Sequence, residues 1–249
     1  MIFNTFSHVP GISPKVEQTI WKQDILNWDE FLEKKHTLTL PDHTKEHICQ
    51  HILDSKKALE SKNVSFFNTL SPTDQWRLFP HAKTCFLDIE TTGLDKFRNR
   101  ITTIGIFDGE TSKILVNGID LHTFPEEIKK YDLLVTFNGK CFDVPFLKAH
   151  FPEAPLDMPH LDLRYLMRQI GFSGGLKRIE KDVGLAREDD LEGVDGYEAV
   201  RLWKKYEKGD VAALEKLKKY NQADIENLKV LMELTYQKLR DRHFLSNCM

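Results

Sequence analysis

The chain has 249 residues, 41% of them hydrophobic and 29% charged, which excludes a disordered polymer and allows a sizeable buried core. A formal net charge of −3 excludes capture of a polyanion by the overall field, so a nucleic-acid partner would need a local basic groove. No run approaches the roughly 20 apolar residues of a membrane span, and the opening MIFNTFSHVPG lacks a basic stretch followed by an apolar one, so a cytoplasmic location without a membrane partner is expected.

Residues 1–82 read as an all-α region. At its start VPGIS (9–13), followed by Lys15 and an amphipathic stretch to Leu32, resembles the hairpin half of a helix-hairpin-helix element. In that element a tight glycine turn aims backbone N–H groups at a DNA phosphate. Ser13 stands where a second glycine is usual and only about eight residues precede the hairpin, so DNA-backbone binding and a helical packing role both stay open. Asn27 followed by Glu30 has the spacing of a capping box before a helical turn at 28–32, Pro41 and Asp42 open a longer helix through Leu59, and Ser71-Pro72 with Asp74 marks another helix start. His47 and His51 share a helix face, but two imidazoles without a third ligand do not make a metal site. Cys49, Cys85, Cys141 and Cys248 form no CxxC pair and read as reduced thiols.

From Thr84 the pattern changes to short β-rich runs at 84–89, 101–107 and 113–116, the last two separated by Asp108-Gly109, a good hairpin turn. These predict an antiparallel meander. A short helix at 124–130 leads into a buried strand at 133–137, a helix at 144–150 and a loop carrying Pro152, Pro155 and Pro159. A short strand or helix entry at 160–162 precedes helices at 163–170, 176–183 (closed by Gly184), 196–207 and 211 to about 240. The succession implies an α/β class with a mixed sheet flanked by helices, in a domain spanning 83–249 behind a small all-α region, 1–82.

Three acidic elements stand out. Residues 86–94 read FLDIETTGL, and in an extended strand Asp88 and Glu90 leave the same face. Two carboxylates held side by side in a half-buried setting repel each other, which a divalent cation relieves. Residues 137–147 read FNGKCFDVPFL, where Asp143 among apolar neighbours near a helix start is either an N-cap or a ligand. Residues 220–228 read YNQADIENL, where Tyr220 and Asp224 share one helix face.

Taken in order, Asp-x-Glu, Asn-x4-Asp and Tyr-x3-Asp resemble the exonuclease motifs of the DnaQ-like (RNase H-like) DEDD superfamily, tyrosine variant, over residues 84 to about 233. The second motif is similar to that of family B DNA polymerase proofreading domains, and GVDGYEAVRLWKKYEKGD ahead of the tyrosine motif is most like the YprB-like bacterial exonucleases.

This resemblance implies a 3′-to-5′ exonuclease with two divalent cations, Mg2+ or Mn2+, acting on single-stranded or frayed, 3′-ended nucleic acid with DNA favoured. Asp88, Glu90, Asp143 and Asp224 would be the ligands, and Tyr220 would orient the attacking water. Thr91, Thr92 and Gly93 would offer backbone N–H groups to the terminal nucleotide. Leu94 would wedge against its base or else pack in the core, and Asn138 would contact substrate or brace its own motif. Asp162 reads as an N-cap, and the Glu188, Asp189, Asp190, Glu192 run as a solvated loop. Lys140, Lys177, Arg178 and Lys181 are candidates for phosphate contacts, and Trp203 and Tyr197 for stacking surfaces. The alternatives are a 3′-to-5′ exoribonuclease of the same superfamily and a catalytically idle scaffold that binds nucleic acid. A helicase or DNA-repair partner is a further expectation.

Overall fold

The computed structural model describes residues 1–186 and 196–245, so the Glu188, Asp189, Asp190, Glu192 run, Gly193 and Cys248 lie outside the described residues. The chain divides into two compact units, Met1–Ala82 with Tyr236–Met249, and Lys83–Thr235.

In the first unit α1 (Pro14–Trp21), α2 (Trp28–Lys34) and α3 (Asp42–Glu60) pack around Phe6, Trp28, Phe31 and Phe67. The cap forms, Asn27 Oδ1 accepting from the Glu30 N–H at 2.9 Å, while the reciprocal half of the box is shifted by one residue, Glu30 Oε2 accepting from the Leu26 N–H at 2.8 Å. The expected helix start at 71–74 yields only a 3-10 segment, Gln75–His81, with Pro80 inside it. Ahead of the Gly11 turn (φ 80°) stands a single 3-10 turn, Ile2–Asn4, so the first helix of a helix-hairpin-helix is not formed, and Ser13 serves as N-cap of α1. Residues from Tyr236 onward group here rather than with the sheet, since the Met1 amino group donates to Tyr236 Oη at 3.0 Å and the Tyr236 ring meets Trp76 edge-on. His47 donates to the Pro10 carbonyl at 2.9 Å. Cys49, Cys85 and Cys141 are free thiols.

The second unit is a mixed five-stranded sheet flanked by helices. Its strands are β1 (Thr84–Thr91), β2 (Ile101–Phe107), β3 (Ser112–Val116), β4 (Leu133–Thr136) and β5 (His160–Asp162), ordered β3-β2-β1-β4-β5. The first three form the antiparallel meander, its second turn tied by Asp108 Oδ1, which accepts from the Glu110 and Thr111 N–H groups. β4 and β5 join in parallel on the other side of β1. Helices α4 (Phe124–Ile128), α5 (Asp143–His150), α6 (Leu163–Gln169), α7 (Leu176–Asp182), α8 (Gly196–Tyr206) and α9 (Val211–Leu245) complete the unit, the end of α9 reaching into the residues of the first.

Strand alternation sorts β1 between two layers. Cys85, Leu87 and Ile89 enter a core with Phe124 and Ile128 of α4 and Phe146 and Leu147 of α5. Asp88 and Glu90 leave the other face. There Gly105 of β2 sits opposite Asp88, and a Cβ at Gly105 would come within 2.9 Å of Ile225 Cγ2 and 3.0 Å of Asn221 Oδ1. A residue without a side chain lets α9 lie close to the sheet beside the acid pair. No helix among the described residues is long and apolar enough to cross a membrane.

Candidate active site

Carboxylate oxygens of Asp88, Glu90 and Asp224 lie within 4.8 Å of one another. The strand period brings the first two to one face, a register shift between Glu90 and Thr91 bends the strand end, and α9 carries Asp224 across the sheet. Asp143 stands close by but outside that trio. It is the first residue of α5. Its Oδ1 accepts from the Ile89 N–H of β1 at 3.0 Å, and of the two alternatives, cap or ligand, the N-cap position of α5 falls to Phe142.

The acids bear on one another electrically. Burial, and then the charges of Asp224, Asp143 and Glu90, raise the Asp88 carboxyl well above its ordinary range, against the opposing hydrogen bond from Asn221. Burial pushes Asp143 up to about 7 despite the N–H groups of Ile89 and Asp143 itself, with Asp162 and Asp224 adding to the rise. The donor set is all carboxylate oxygen and converging, which fits Mg2+ or Mn2+ rather than a softer metal.

These groups line a cleft of about 530 Å³ together with Thr91, Gly93, Leu94, Asn138, Lys177, Arg178 and Tyr220. Leu94 is 85% exposed, which overturns core packing as its role. Thr92 is not in the cleft wall, and its N–H is taken by the Arg100 carbonyl at 3.0 Å, so it offers no free donor to a nucleotide. Lys177 Nζ sits 4.6 Å from the centre of the Tyr220 ring. Lys140 and Lys181 do not line the cleft. Trp203 is buried in the core under α8, so it cannot offer a stacking face, whereas Tyr197 is well exposed.

Asp162 caps α6 by accepting from the Arg164 N–H, and it also accepts from the N–H groups of Asn138 and Lys140. It thereby pins the turn in which Asn138 holds a left-handed φ of 65°. Arg164 then donates to Asn138 Oδ1 at 2.6 Å.

Residues 85–236 match the family described as RNase_H superfamily. The chain belongs to the RNase H superfamily. Among relatives of this chain, "Uncharacterized protein MJ0365" of Methanocaldococcus jannaschii is 28% identical over 155 residues, covering 56% of this chain and 88% of that protein. Similar solved structures include the family B DNA polymerase of Pyrobaculum calidifontis, at TM-score 0.48 and 15% identity over 64% of this chain and only 24% of that one. Brucella melitensis NrnC is similar at TM-score 0.46 and 20% identity over 72% of this chain and 82% of that one.

One residue of this acidic cluster escapes the motif reading. Asn221 is fully buried and donates through Nδ2 to Asp88 Oδ2 at 2.7 Å and to the Asp88 carbonyl at 3.3 Å. Its signal in the sequence is a polar side chain three residues before Asp224, on the inward stripe of a helix whose other inward positions include Leu217, Ile225 and Leu228.

Proposed function

We propose that this chain is a divalent-cation-dependent 3′-to-5′ exonuclease of the DEDD type, tyrosine variant, hydrolysing single-stranded or frayed DNA to nucleoside monophosphates. The reading is carried by the convergence of Asp88, Glu90 and Asp224 within 4.8 Å, beside Asp143, in an open cleft. Those four acids would hold two Mg2+ or Mn2+ ions, which when bound supply an activated water at neutral pH and neutralise charge on the scissile phosphate. Asn221 keeps Asp88 turned toward its fellow acids, and the Ile89 N–H does the same for Asp143. Tyr220, one helical turn before Asp224, would orient the attacking water, with the Lys177 ammonium over its ring adding positive charge where the phosphate arrives. Thr91, Gly93, Leu94 and Asn138 frame the terminal nucleotide, with the exposed Leu94 side chain against its base.

Digestion of a 5′-labelled single strand in Mn2+ tests this reading. Asp88→Ala and Asp143→Ala should each abolish the ladder of shortened products while leaving the thermal unfolding transition in place. Undiminished digestion by both variants would contradict it. Matched DNA and RNA strands in the same assay decide the sugar preference.

A further inference from the structure

The cleft does not end at the acids. Val200 of α8 lines both the cleft and a second groove of about 430 Å³, which runs between α8 and the loop of residues 92–100, so the two adjoin at that residue. The walls of this second groove carry Arg98, Arg100 and Lys204, with Arg98 3.6 Å from Asp95 and Arg100 paired with Glu207, so the groove keeps an excess of positive charge in a protein whose overall charge is negative. Phe97 stands in its wall 83% exposed, with Lys96 Nζ 5.1 Å from its ring centre.

The loop that presents Phe97 is built, not slack. Asp95 Oδ1 accepts from the Phe97 N–H at 2.9 Å, the Asp95 carbonyl accepts from the Asn99 N–H at 2.8 Å, and the ends close through Thr92 N–H to the Arg100 carbonyl at 3.0 Å. The Arg100 guanidinium ties the loop to Glu207, just past α8. On the helix side, Tyr197, Val200, Arg201 and Lys204 recur at the spacing of one face, opposite the buried Ala199, Leu202 and Trp203. Tyr197 is 67% exposed, with the Arg201 guanidinium 4.6 Å from its ring centre. An exposed ring beside cations in a groove that adjoins a cleft of acids, with Tyr197 and Arg201 on the neighbouring helix face, supplies the features that hold a single strand through base stacking and phosphate contacts.

We propose that the groove between residues 92–100 and α8 is the subsite for nucleotides upstream of the bond being cut, with a base on Phe97 and phosphates on Arg98 and Lys204. The proposal rests on the nuclease reading of the adjoining cleft and adds to it a preference for strands longer than a dinucleotide. The cleft also opens the other way, into a recess with Arg164 and Arg168 that shares Phe137, Asn138 and Gly175 with it. That recess has cations, but its wall holds no aromatic ring beyond the shared Phe137, so it lacks the stacking half of the requirement.

Fluorescence anisotropy of the full chain with a 5′-fluorescein oligodeoxythymidine of about ten nucleotides, with no divalent cation so that nothing is cut, tests the subsite. Phe97→Ala should weaken binding about tenfold, and the pair Arg98→Glu with Lys204→Glu should weaken it and flatten its salt dependence. In Mn2+, KM for the same strand should rise in step. Unchanged affinity and salt slope in these variants would overturn the proposal. So would losses confined to Arg164→Glu with Arg168→Glu, which would send the strand out by the opposite end. A wild type that binds with these losses yet cuts no strand would leave the subsite standing and remove the nuclease reading. A wild type that does not bind would remove the subsite.

Discussion

Asp88 lies between opposing influences: burial and three neighbouring carboxylates favour its protonated form, while Asn221 Nδ2 at 2.7 Å favours the charged one. Outer-shell partners of this kind commonly govern ligand orientation, and their loss costs about 10–100-fold in metal affinity or rate. Asn221→Ala should therefore lower Mn2+ affinity and nuclease rate within that range, with the circular dichroism spectrum unchanged. An unaltered affinity would show that Asp88 is aimed by strand geometry alone. That Asp88 and Glu90 share a strand face, and Tyr220 and Asp224 a helix face, was legible because their spacing encodes the strand and helix periods, whereas Asp143 was singled out by the resemblance of its motif. Asn221 was not, because its role depends on Gly105 of a distant strand admitting α9 to the sheet.

At the scale of elements, the strands and their turns were readable wherever a β-rich run met a glycine or an asparagine-aspartate turn, as at Asp108-Gly109. What single runs cannot express is a side chain that serves two elements at once. Asp162 looked like the cap of α6, and it is one, yet its carboxylate also fastens the Asn138 turn in the cleft wall. Asp162→Ala leaves three backbone N–H groups without a charged acceptor and should destabilise the unit by about 3 kcal/mol, together with a fall in nuclease rate. Asp162→Asn, which keeps one acceptor oxygen, should recover part of both in thermal melts and strand digestion. The loop of residues 92–100 was opaque for the opposite reason: nothing in its composition announces that Asp95 would fold it into a platform for Phe97.

At the scale of the whole molecule, stability should respond to acid through the first unit. Burial, followed by the nearby His51 and Arg77 charges and partly offset by a hydrogen bond to the Thr5 backbone, lowers the His8 imidazole from 6.5 to about 3, while its Nε2 meets Ser55 Oγ at 2.8 Å. The unfolded chain then takes up a proton that the folded one refuses. Stability from this group is complete above about pH 6.5 and is lost as pH falls toward 3, at about 1.4 kcal/mol per unit. The raised carboxyl of Asp143 works the other way, losing stability as pH rises from its ordinary range toward 7. A His8→Gln comparison isolates the imidazole: its denaturant midpoints between pH 4 and 7 should fall less steeply than those of the wild type. Equal slopes would mean that His8 is protonated in the folded state. The division into units was only partly readable, because the 3.6-residue period of α9 runs unbroken past Tyr236 while its packing partners change to Trp76 and Met1.

Everything proposed for the cleft depends on its carboxylates binding cations, and calorimetric titration of Mn2+ into the full chain tests that most directly. The account predicts binding that tightens as pH rises through about 7, as protons leave the raised carboxyls, and that is lost in Asp88→Asn. Binding that is absent, or that survives Asp88→Asn undiminished, would contradict it.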